Sequence, residues 1–248
     1  MIANGGETSG NAGLVTLIAS QEVNMNGLTC RANAQGQGNG GGITINGNQF
    51  VKLEKATIVS NAGSDGNGSN ILINGLIISI NSDTEEGGDL TGIRSLGGTS
   101  SGNGGNIVLA AQSRLTIGSE VRILSNPQGE GSGGSIELTS DNLSVDISGE
   151  NVTIQSKGLG SGGNGGNITI NGSNGNVDTN AIISAPADDQ GDGGTISIEA
   201  RDLAVTDKAI FTAVGGMQSG NGGSISIDCE TITDDGMQVL AGARGMGD

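Results

Sequence analysis

Short alternations of apolar and polar residues recur along the whole chain, and glycine or an Asn-Gly step breaks each of them after a few positions. The clearest set is the pairs Val15/Leu17, Ile43/Ile45, Ile71/Ile73, Ile107/Leu109, Ile136/Leu138, Ile168/Ile170, Ile196/Ile198 and Ile225/Ile227. The residue between the members of a pair is polar in six of the eight cases: Thr16, Thr44, Glu137, Thr169, Ser197 and Ser226. Period two marks half-buried strands whose apolar face points inward. No segment offers apolar residues at i, i+3, i+4 and i+7 over a helical length.

Each pair follows a glycine-led turn that begins at Gly10, Gly38, Gly66, Gly102, Gly131, Gly163, Gly191 or Gly220. The turns are 28 residues apart at their closest and 36 at their widest. A period of this size signals a solenoid. Two further short alternations fill each repeat, as at Val51/Leu53 and Ile58, Leu115/Ile117 and Val121/Ile123, and Leu143/Val145/Ile147 and Val152/Ile154. The pattern predicts an all-β, right-handed parallel β-helix over residues 1–248, with about eight coils of ~28 residues and three short strands per coil. Each strand would pair with its equivalents about 4.8 Å above and below, giving a rod of roughly 38 Å. The core is expected to be the stacked columns of these pairs from Ile43/Ile45 to Ile225/Ile227.

The residue after the leading glycine is Asn11, Asn39, Asn67, Asn103, Asn164 or Asn221 in six repeats, and Ser132 or Asp192 in the others. Stacked amides at one corner are expected to bond along the axis as a ladder. The next residue but one is glycine in seven repeats, Ser69 being the exception. That points to close approach of stacked backbones. The widest repeat places its excess within residues 81–101, expected as a lateral bulge.

Composition narrows the function. The chain has 49 Gly, 2 Pro, no Trp, Tyr or His, and a formal net charge of −16. Without histidine there is no Ser-His-Asp site and no His-ligated metal. A chain this acidic does not condense on phosphate backbones, so nucleic acid is not an expected partner. No apolar run reaches membrane-spanning length, and the first residues carry no signal-peptide pattern, so membrane insertion is not expected. The GxGxxG matches, such as Gly36/Gly38/Gly41, open strands rather than helices and recur with the repeat, so they are corners and not dinucleotide sites.

The repeats GNGGNITING, GDGGTISIEA and GNGGSISIDC resemble those of filamentous-haemagglutinin-like exoproteins of two-partner secretion, especially the long cyanobacterial type. The resemblance implies an extracellular or cell-surface β-helix with structural or adhesive work, and host or cell-surface glycans as a partner class. The NPNG-like secretion motifs of that family have no counterpart beyond Asn126-Pro127.

Candidate chemistry is sparse. Carboxylates cluster at Asp83/Glu85/Glu86/Asp89, at Asp188/Asp189/Asp192 and at Asp234/Asp235. Of these, Asp188, Asp189 and Asp192 are the candidate calcium ligands, and the competing reading is a solvated acidic surface. No cofactor is expected otherwise. Polysaccharide lyases and hydrolases share the fold, but here the basic residues are scattered and groove aromatics are missing, so no enzyme is expected. An ice-binding Thr array would be broken by Leu72, Val108 and Glu137.

No cap is legible at either end of the solenoid: the first repeat begins by Gly10 and the last runs into AGARGMGD. Exposed strand edges and an open core favour a second copy as the partner, stacked head to tail into an open filament. Cys30 and Cys229 fall in the first and last coils at different repeat positions, and no bond between them is expected.

Overall fold

The computed structural model describes residues 1–82, 91–207 and 209–245. Eighteen strands follow in chain order. The first coil holds β1 (Val15–Ala19), β2 (Glu22–Asn26) and β3 (Thr29–Arg31). Then come β4 (Ile43–Glu54), β5 (Thr57–Asn61), β6 (Ile71–Asn81), β7 (Thr91–Leu96), β8 (Asn106–Ile117) and β9 (Val121–Leu124). The fifth coil again has three, β10 (Ser135–Ser140), β11 (Ser144–Ile147) and β12 (Thr153–Gln155). The last six are β13 (Asn167–Thr179), β14 (Ile182–Ser184), β15 (Thr195–Val205), β16 (Ile210–Thr212), β17 (Ser224–Asp234) and β18 (Gln238–Leu240).

All these pairings are parallel, and they form two stacks. One runs β1-β4-β6-β8-β10-β13-β15-β17, with β2 and β11 beside it, and the other β3-β5-β7-β9-β12-β14-β16-β18. The chain is therefore an all-β solenoid, with eight strands along each stack. Long strands replace two of the three short ones expected in most coils. β4, β6 and β13 bend at a register irregularity, at Gly47/Phe50, Gly75/Ile77 and Gly172/Asn176. A bulge turns the strand without ending its ladder. In the first and fifth coils the ladder breaks there instead.

Register follows the repeat. Val15 faces Ile43, then Ile71, Ile107, Ile136, Ile168, Ile196 and Ile225 in successive layers. Leu17, Ile45, Ile73, Leu109, Leu138, Ile170, Ile198 and Ile227 form the second column. From Ile43 to Ile198 these side chains are buried, whereas Ile225 and Ile227, expected in the core, are only partly covered. The reason is that β17 has no layer above it. Leu143 is also not interior; it is half exposed at the bend before β11.

Of the expected bulge at 81–101, residues 83–90 lie outside the described residues. Thr91–Leu96 is an ordinary rung that registers on β5 and β9. Residues 82–90 join β6 to β7, where Lys55 and Ala56 suffice between β4 and β5. The acidic residues Asp83, Glu85, Glu86 and Asp89 lie outside the described residues.

Two corners carry the left-handed backbone. Leading glycines supply it at Gly10, Gly38, Gly102, Gly131 and Gly220. The turn between the two stacks is held by Gly27 and Gly236 in the first and last coils and by Lys55, Glu120, Asn151 and Asp207 between them, these four with φ between 50 and 57°. Those conformations are uncommon for residues with a side chain, and the stacked layers hold them in place.

Candidate functional site

The glycine-led corner is a clamp repeated along the whole rod. The Asn39 N–H donates to Asn11 Oδ1 at 2.8 Å, and Asn67 and Asn103 repeat this on Asn39 and Asn67. Ser132 N–H donates to Asn103 Oδ1, Asn164 N–H to Ser132 Oγ, Asp192 N–H to Asn164 Oδ1, and Asn221 N–H to Asp192 Oδ1. A second bond answers each of these. Ala12, Gly40, Gly68, Gly104, Gly133, Gly165 and Gly193 each donate their N–H to the corner carbonyl one layer up, at 2.9–3.1 Å. The side chains thus bond to backbone rather than to one another. This explains why Ser132 and Asp192 serve as well as asparagine: the position needs only an acceptor oxygen on a short side chain.

The glycine two residues on is required by packing. A Cβ at Gly134 would lie 2.1 Å from Gly105 O, and one at Gly166 would lie 2.0 Å from Gly134 O. Against these glycines runs a column that sequence reading missed. Ser60, Ser95, Ser125 and Ser156 are fully buried. Their hydroxyls donate to the carbonyls of Gly41, Ser69, Gly105 and Gly134 in turn. Ala32, Ala185 and Ala213 take the equivalent place in other coils and are also fully buried. A column restricted to Ser and Ala, two residues past the last inward-facing residue of each of these coils, was the available signal.

Two of the three candidate calcium ligands, Asp188 and Asp192, make other side-chain contacts, while at Asp189 it is the backbone that is engaged. Asp188 pairs with Lys157 Nζ at 2.6 Å, and Asp192 Oδ1 holds the Asn221 N–H. The Asp189 carbonyl accepts the Gln218 N–H. Among the described residues no three acidic, Cys or His side chains come together as a metal group. A different acidic contact does form. Asp146 and Asp178 register on each other in adjacent layers. Partial burial and the Asp146 charge push the Asp178 carboxyl above its ordinary range. Asp202, by contrast, is held below it by the Thr231 hydroxyl and by Arg201.

Two of the clefts are shallow and polar, whereas a third, at Phe50, Val51 and Ile77, is mainly apolar. One of about 560 Å³ is lined by Thr8, Asn33, Gln35, Asn61, Ser64 and Gln128, among others, with no ionisable side chain. Another of about 480 Å³ gathers Glu137 and Asp141 with Asn142, Asn171 and Asn174. General acid-base work on an acidic polysaccharide would want a cation beside these carboxylates, and the lining holds none. Cys30 is buried in the second stack against Ile58, and Cys229 lies in the first stack beside Ala200. Both are free thiols, and burial raises both above the usual thiol range, Asp228 and Asp202 adding to the rise at Cys229.

The ends differ from the middle. At one end β17 and β18 have no further layer. There Ile232, Val239 and Leu240 are about half exposed. Among the described residues, nothing accepts the Gly222 N–H or binds the Asn221 side chain. At the other end the Asn11 N–H and carbonyl are equally unpartnered. Leu14 and Ile18 are more than two-thirds exposed. The second stack does not stop at β3, however. Met1–Ala3 adds a short rung: Arg31 N–H donates to Met1 O, Ala3 N–H to Arg31 O, and the terminal ammonium to Thr29 O.

No family model matches the chain, and no curated protein or solved structure matches it either.

Proposed function

We propose that the chain is a non-catalytic structural unit of an extracellular fibre, built by stacking the first coil of one copy on the last coil of the next. The observation that carries this is the complementarity of the two ends. Asn221 Oδ1 and the Gly222 N–H are the lower half of a corner clamp, and the Asn11 N–H and carbonyl are the upper half. Apolar rungs follow the same columns, with Ile225, Ile227 and Ile232 at one end and Val15, Leu17 and Val23 at the other. A contact between unlike ends does not close on itself and gives an open filament.

Stacking makes two specific demands. Placing β17 under β1 of a second copy brings β18 to the β3 edge that Met1–Ala3 occupies, so this rung must be displaced. Asp234 also stands in the column of Leu53, Ile80 and Val205, with its carboxylate turned to the Met237 N–H at 2.6 Å. It works against a close upper layer.

A second reading, a segment of a haemagglutinin-like adhesin shaft at the cell surface, is favoured by that same Met1–Ala3 rung. It extends the second stack as a preceding coil of one polypeptide would. Negative-stain microscopy separates the two. Ordered fibres that dissolve into short rods on Ile227→Lys are expected for stacking, and isolated rods at every protein concentration would refute it and favour the shaft.

A further inference from the structure

We propose that Asn221–Gly222 is a self-modification site of the corner ladder, at which the Gly222 amide nitrogen attacks the Asn221 side chain and water opens the resulting ring. The new bond joins Gly222 N to Asn221 Cγ. The Cγ–Nδ2 bond breaks, and ammonia leaves with the proton given up by the Gly222 nitrogen. One water then adds across either carbonyl of the succinimide, leaving an aspartyl or an isoaspartyl residue. No oxidant, metal or enzyme is needed.

Five corners carry the reactive Asn-Gly step: Asn39, Asn67, Asn103, Asn164 and Asn221. Glycine lets its nitrogen approach without a side chain in the way, so sequence alone gives all five the same susceptibility. The structure separates them. In the first four, the attacking nitrogen donates its proton to the corner carbonyl above, at 2.9–3.0 Å. The amide under attack is pinned as well, because its Oδ1 accepts the next corner's N–H at 2.8 Å. Ring closure there must break both bonds and rotate a side chain that the stack holds still. At Asn221 neither bond exists among the described residues. The backbone of Asn221 is nonetheless anchored below, its N–H on Asp192 Oδ1 and its carbonyl on the Gly193 N–H. The side chain is exposed to water.

The two products differ in effect. An aspartyl residue keeps the acceptor oxygen, and Asp192 shows that a carboxylate fills this place in the ladder. An isoaspartyl residue lengthens the backbone by one carbon and removes the geometry of the clamp. If the stacking proposed above occurs, a copy seated on Asn221 supplies both missing bonds and protects it; that corollary rests on the stacking reading, whereas the site itself does not.

The test is peptide mapping by mass spectrometry after incubation in mildly alkaline buffer, on the wild type and on Ile227→Lys rods. In Ile227→Lys, Asn221 is expected to convert at least about ten-fold faster than the four interior asparagines, a factor worth about 1.4 kcal/mol. Urea-unfolded chain should bring the five rates together. Equal rates in the folded rods, or an interior asparagine reacting first, would overturn the site. Should the variant not fold, the soluble fraction of the wild type is read by the same criterion. Slower conversion in sedimented wild type than in its soluble fraction would support stacking. Equal conversion in both fractions, with Asn221 still fastest, keeps the site and sinks the stacking.

Discussion

Residues 191–198 read GDGGTISI and residues 220–227 read GNGGSISI, yet they meet different fates. In the first segment Ile196 and Ile198 are 0% and 1% exposed. In the second, Ile225 and Ile227 are only partly covered. The sequences are near copies, so the difference is in the neighbours: β15 lies between β13 and β17, while β17 has only β15. A solenoid layer therefore obtains half of its burial and half of its hydrogen bonds from the layer above. The same contrast appears at the corner, where Asn164 is clamped from above and Asn221 is not.

Substitutions that act on one layer and not the other should widen this contrast. The largest effect is expected for Ile196→Asp, which buries an unpaired carboxylate and should lower stability by more than about 4 kcal/mol. Ile225→Asp should lower it by about 1 kcal/mol or less, since water reaches that face. Urea titration followed by far-ultraviolet circular dichroism measures both, and equal losses would mean that the two layers are not different. Next comes Gly194→Ala, whose Cβ would fall 2.0 Å from Gly166 O. A loss of about 1–3 kcal/mol is expected from the backbone shift this forces. Gly242, in the terminal layer, has open space around its Cβ position. Its replacement by Ala should change the midpoint little, within about 0.5 kcal/mol.

Asn164→Ala removes the acceptor of the Asp192 N–H and should destabilise by about 1 kcal/mol. Asn221→Ala should leave the melting temperature of single rods unchanged, because its side chain bonds nothing among the described residues. An effect no larger than that of Asn164→Ala is expected at the stacked acids. Asp178 has a raised carboxyl in the folded chain, so the folded state binds the proton more tightly than the unfolded state. Stability from this group is complete at acid pH below the ordinary Asp value and is lost as pH rises through the raised one. Asp178→Asn should thus stabilise at neutral pH by about 0.2–1 kcal/mol, the size of a like-charge cross-strand pair. The gain should vanish in acid, as thermal melts across pH would show.

Much of this was legible in the repeat. Pairs such as Ile43/Ile45 and Ile168/Ile170 occupy the columns their spacing predicts, because period two and a fixed coil length leave a parallel stack little choice of register. Partners were less legible than positions. The spacing located Asn39 and Asn67 at one corner, but a one-dimensional period cannot tell a side-chain amide partner from a backbone N–H, and the structure shows the latter. Lys55 and Glu120 in the left-handed region carried no signal, since local preference argues against them and only the stacked layers hold them there. Ser60 and Ser95 carry no core signal of their own, because their burial depends on the carbonyls of Gly41 and Ser69 that their hydroxyls bond. The Met1–Ala3 rung escaped notice because Ile2 bridges Arg31, one residue out of phase with the repeat.

Amide hydrogen exchange over the last two layers, followed against protein concentration, tests the central claim most directly. In dilute single rods the amides of β17 should exchange far faster than those of β15, which is bonded on both sides. As concentration rises and fibres form, β17 should gain protection toward that of β15, and Met1–Ala3 should lose it. Protection of β17 that is already equal to β15 in single rods, or that never changes with concentration, would contradict an unfinished layer completed by a second copy.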